Sequence, residues 1–134
     1  MRLVLAAMLA LLSAPALASP VCSHGGAKPT PECAAKLDYC RYTSIVVVLA
    51  YRARVDGKTE DATFARLSAP KSNEVWYRNN GAIVKDIVHQ VFTIDSFYEK
   101  LKAEIAPTVI AQAQAISAID RGCDADPKVV VDSK

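Results

Sequence analysis

The chain has 134 residues, of which 16 are Lys or Arg and 14 are Asp or Glu, giving a formal net charge of +2, and 51% of it is hydrophobic. That length supplies one compact core but not two. Basic residues alternate with acidic ones along the chain and form no concentrated positive stripe of the kind that displaces counterions from phosphates, so a nucleic-acid partner is not expected.

Residues 1–18 open with Arg2, continue through an apolar run from Leu3 to Leu12, and close on Ala16-Leu17-Ala18 ahead of Ser19. This is the three-part layout of a secretory signal peptide, with cleavage expected after Ala18. An uncleaved anchor is the rival reading, but the run falls short of the ~20 residues that span a bilayer, and Ser13 and Pro15 interrupt it. No membrane span is therefore expected after signal cleavage.

Cys22, Cys33, Cys40 and Cys123 form an even set in a chain bound for an oxidising compartment, so two disulfides are expected. Residues 31–55 read as one helix, which separates Cys33 from Cys40 by about 10 Å, beyond the ~7 Å that a disulfide bridges. Of the two remaining pairings, Cys22 with Cys33 and Cys40 with Cys123 is preferred, because Cys22 lies on a leader containing Gly25 and Gly26 that can fold back onto the helix start. Cys22 with Cys40 and Cys33 with Cys123 stays open. No Cys-x-x-Cys pair exists and His24 and His89 are far apart in sequence, so no metal and no cofactor is expected.

Residues 19–30 form a leader arm without apolar periodicity. Thr30 then offers an N-cap oxygen, Pro31 suits the first helical position, and Glu32 favours the positive end of the dipole. The first helix carries Leu37, Val47, Val48 and Tyr51 at helical steps and stops at Gly57. Ile45 to Ala50 is apolar on every side, which marks a central helix, although Ile45-Val46-Val47-Val48 also reads as a buried strand. Thr59 caps a second, short helix with Phe64 and Leu67 turned inward, ended by Pro70. A third segment follows Ser72, its stripe running from Val75 and Trp76 to Val91 and Phe92. Asn79-Asn80-Gly81 is either a turn inside that segment or a weak spot in one helix.

Ser96 and Glu99 have capping-box spacing ahead of Phe97, Leu101 and Ile105, and Pro107 restarts the chain. The last helix is expected from about Pro107 to Arg121, with Val109, Ile110, Ala113 and Ile116 inward and Gly122 as its stop. If it runs antiparallel to the first helix, Cys123 arrives beside the start of that helix. Residues 124–134 read as a flexible tail, with Val129-Val130-Val131 able to lie in a groove. The expected fold is all-α: a compact bundle of four or five helices over residues 31–123, stapled by two disulfides.

The cysteine-bearing first helix, the junction Arg54-Val55-Asp56-Gly57-Lys58-Thr59, and a terminal helix ending in Cys123 together resemble small uncharacterised exported helical proteins of proteobacteria. The resemblance spans roughly residues 33–123. It implies a helical domain of the periplasm, or a secreted one, and transfers no active site.

Asp86 and His89, three apart on one helix, are the candidate general-base dyad, yet both fall opposite the apolar stripe, where such a pair is ordinarily a surface contact. No Gly-x-Ser-x-Gly, phosphate-binding glycine loop or His-Glu-x-x-His is present. Ser44 and Ser117 lie within helices, where a hydroxyl bonds back to a carbonyl one turn earlier. Aromatic residues near helix starts offer a different prospect: Trp76 and Tyr77, beside Arg78, are the candidate partner-binding patch, set against ordinary packing at the end of the core. The expected role is non-enzymatic binding of another envelope or secreted protein, in the manner of immunity or inhibitor proteins. The alternatives are a carrier of a small apolar ligand and a small hydrolase using Asp86 and His89.

Overall fold

The computed structural model describes Cys22, residues 30–68 and residues 75–131. The expected signal segment, most of the expected leader arm, Pro70 and Ser72 lie outside the described residues. The fold is all-α, with no strand among the described residues and six helices: α1 (Pro31–Val55), α2 (Glu60–Leu67), α3 (Val75–Asn79), α4 (Gly81–Thr93), α5 (Asp95–Glu104) and α6 (Val109–Ala125). The count exceeds the expected four or five because Asn80 separates α3 from α4, its side-chain amide donating to the Trp76 carbonyl at 2.9 Å.

α1 begins as its residues dictate. Thr30 Oγ1 accepts from the Cys33 amide at 3.3 Å, and Pro31 occupies the first turn, where its missing N–H leaves no bond unmade. At the other end Gly57 takes the left-handed conformation at φ 72°, which a side chain would resist. The Gly57 amide donates to Arg54 and the Lys58 amide to Ala53, satisfying two carbonyls that the helix end would orphan. The β-branched run is helical throughout, with Val46, Val48 and Ala50 almost wholly buried. Buried Ser44 donates to the Arg41 carbonyl and Thr43 to that of Tyr39, both at 2.7 Å, so their polarity is absorbed within the helix.

Those valines meet Val84, Val88 and Val91 of α4, with Tyr51, Tyr77, Leu101 and Ile105 completing the core. Each fully buried valine contributes about 1.5 kcal/mol of transfer free energy. α1 is the axis, with α2, α4 and α6 all packed against it.

Cys22 is bonded to Cys33 and Cys40 to Cys123, with Cα separations of 5.3 and 5.5 Å. α6 runs antiparallel to α1: Cys123 meets Cys40 near the start of α1, while Val109 and Gln112 lie beside Leu49 and Ala53 near its end. Buried Lys36 reinforces the junction by donating from Nζ to the Asp126 carbonyl at 3.0 Å.

Three local expectations are corrected. α6 continues through Gly122, which has no positive φ, to Ala125, where Asp124 is buried and the Asp126 carbonyl that follows is held by Lys36 of α1. Its inward residues are Ala115, Ile116 and Ile119, with Val109, Ile110 and Ala113 exposed; the disulfide at Cys123 sets the rotation of the helix. Ser96 is not a cap. α5 starts at Asp95 behind Ile94, whose carbonyl accepts from the Phe97 and Tyr98 amides in a connection too short for a side-chain cap.

Candidate functional site

Of the expected partner-binding patch, Tyr77 is buried in the core, Trp76 is half-buried and Arg78 is exposed. The Trp76 ring stacks on Tyr42 with centroids 5.2 Å apart, and meets Tyr77 edge-on at 5.7 Å and Tyr39 at 6.5 Å. Such pairs contribute about 0.5–1.5 kcal/mol each beyond area burial, so this cluster joins α3 to the first half of α1. Arg78 alone of the three faces solvent fully.

Asp86 and His89 do not bond to each other. Asp86 Oδ2 accepts from Gln90 at 2.8 Å, whereas His89 Nδ1 lies 2.8 Å from Glu60 Oε1 on α2. The imidazole side chain is 60% exposed, and its partner ties α4 to α2. No group of three or more His, Cys, Asp or Glu side chains placed to hold a metal occurs among the described residues.

The second half of α1, α2 and the start of α6 enclose a different feature, a cleft of about 590 Å³. Its apolar lining comes from Leu49, Ala53, Leu67 and Val109, and its polar rim from Arg52, Asp56, Lys58 and Arg66. Arg52 Nε chelates the Asp56 carboxylate at 3.0 and 3.1 Å, neutralising that pair locally. Lys58 and Arg66 have no carboxylate partner among the described residues, so the rim is cationic. A shallower groove shares Val109 with the cleft and follows the flank of α6 past Ile110, Ala113 and Ser117 to Arg121. Leu49 is 43% exposed, Val109 81% and Ile110 73%, an uncovered apolar surface on a frame cross-linked at its other end.

The cleft is set by how α6 docks, and periodicity alone missed it by turning Val109 and Ile110 inward. One signal was available. Arg66 has no acidic residue three or four positions away on its helix, so no side chain of that helix pairs its charge.

Behind the cleft, Arg54 joins α1 to the α4–α5 junction. Its Nη1 donates to the Val91 carbonyl at 2.7 Å, its Nη2 to Asp95 at 2.8 Å, and its guanidinium lies 3.9 Å from the Tyr98 ring centre. Tyr98 in turn packs on Tyr51, whose phenol is pushed above its ordinary pKa, first by burial and then by Tyr98.

No helix among the described residues is long and apolar enough to cross a membrane. No protein-family model, curated protein or solved structure matches the chain.

Proposed function

We propose that the protein is exported to a bacterial periplasm or beyond the cell and acts there, without chemistry of its own, by binding another envelope or secreted protein. Export is supported by the signal-peptide pattern of residues 1–18 and by the two disulfides. It agrees with the resemblance to exported helical proteins of proteobacteria. The observation that carries the binding role is the uncovered apolar surface of Leu49, Val109 and Ile110 on a rigid helical frame, since exposed apolar clusters rimmed by polar residues are characteristic of interaction sites.

A carrier of a small apolar ligand is the second reading, favoured by the volume of the cleft, which falls within the ~300–1,000 Å³ of ligand pockets. Enclosure weighs against it. Such pockets bury about 70–90% of their ligand, while Val109 on this wall is itself 81% exposed. Chemical cross-linking in intact envelopes, followed by isolation of the protein and native mass spectrometry, separates the two. A defined stoichiometric protein adduct is expected; a co-purifying lipid with no protein adduct would replace the binding role with the carrier.

A further inference from the structure

The geometry points to the identity of the occupant: the cleft and the adjoining flank of α6 form one trough that docks an acidic, amphipathic helical segment of a partner protein, lying along α6. This rests on the protein-binding reading above and specifies its chemistry. The floor is apolar, passing from Leu49 and Leu67 through Val109 to Ile110 and Ala113. Cations stand at both ends, Lys58 and Arg66 at one and Arg121 at the other. No carboxylate lines the α6 groove; Asp120 and Asp124 lie toward the packed side of the helix. From Val109 to Arg121 the helix rises about 18 Å, the length of roughly 12 residues of a partner helix. Apolar side chains at i, i+3 and i+4 seat in such a groove, and carboxylates near the ends of the segment meet the three cations.

Charge also decides against a second copy of the chain. Antiparallel pairing of two such troughs brings Arg121 of one to Lys58 and Arg66 of the other, and parallel pairing sets each cation against its own copy. Like charges meet in either case. An anionic lipid surface would share the attraction, but the cleft between α1, α2 and α6, where the trough begins, withdraws Leu67 and Ala53 from a flat bilayer.

Two measurements test this. The purified, disulfide-bonded protein is titrated into a fluorescein-labelled 14-residue helical peptide of Leu, Ala and Glu, and into the same peptide with Lys for Glu, with anisotropy as the readout. The Glu peptide is expected to bind and the Lys peptide not. Arg66→Glu is expected to weaken the Glu peptide about tenfold and admit the Lys peptide, and Ile110→Asp to weaken the Glu peptide similarly. Both positions are exposed, so circular dichroism should be unchanged. Equal binding of the two peptides, binding of neither, or sedimentation of the protein with anionic phospholipid vesicles in an Ile110-dependent manner would overturn the assignment.

In cells, benzoylphenylalanine at position 110 is compared with the same photo-cross-linker at position 78. Adducts at 110 whose partner peptide is net acidic support the trough. Adducts at 78 alone refute the trough and leave protein binding standing, and adducts at neither refute both.

Discussion

Removing the Cys40–Cys123 bridge should cost more than removing Cys22–Cys33, and should do so mainly through the unfolded chain. The two bridges close loops with sequence separations of 83 and 11 residues. By the chain-entropy relation these correspond to about 4.5 and about 2.8 kcal/mol. Cys40 is fully buried and Cys22 nearly so, so alanine adds a packing loss of about 1 kcal/mol in each variant. For a domain of this size about 4 °C of Tm accompanies each kcal/mol, which places Cys40→Ala/Cys123→Ala about 22 °C below the parent and Cys22→Ala/Cys33→Ala about 15 °C below. Urea unfolding followed by far-ultraviolet circular dichroism measures both, and it carries a second signature. A chain freed of its long loop exposes more surface when unfolded, so the m-value should rise in the first variant and change little in the second. Equal losses in the two variants would refute the loop-entropy account. So would an unchanged m-value accompanied by reduced native helicity, which would locate the effect in the folded state.

Glycine positions should respond with opposite sign. Gly57→Ala is expected to destabilise by about 1 kcal/mol because its φ of 72° is left-handed, whereas Gly122→Ala, inside α6 with no atom near its added Cβ, should stabilise by about 0.5–1 kcal/mol; thermal melts read both. Arg54→Lys retains the charge but loses the planar fork that reaches Val91 and Asp95 together, and should cost about 1–2 kcal/mol in urea unfolding. The raised Tyr51 pKa means that the unfolded chain releases the phenolic proton first as the solution becomes alkaline. Its contribution is complete below pH 10.0, the ordinary value, and is lost as pH rises through the higher folded value. Tyr51→Phe should therefore flatten the fall in stability above about pH 10, measured by urea midpoints.

Local chemistry was legible in the residues wherever the backbone itself decides the outcome. Thr30 with Pro31, Thr59, and Gly57 mark ends that the structure uses, since a cap oxygen or a left-handed turn acts within four residues. The spacing of Cys33 and Cys40 removed one disulfide pairing by helix rise alone, and the preferred pairing of the remaining two is the one formed. What periodicity could not supply was the rotation of α6. Its residues are apolar on several sides, so Val109 and Ile110 look as inward-facing as Ile116 until Cys123 is joined to Cys40. Gly122 likewise looks like a stop, yet contacts of the following turn with α1 carry the helix past it. The cleft depends on that docking, and only the isolated charge of Arg66 hinted at it.

The pairing of the cysteines has a consequence for biogenesis. Each thiol is joined to the next one available along the polypeptide, Cys22 to Cys33 and then Cys40 to Cys123, with no bridge crossing another. If the chain is exported as proposed, an oxidant meeting it vectorially, amino terminus first, would form the native set in order of emergence without a disulfide isomerase.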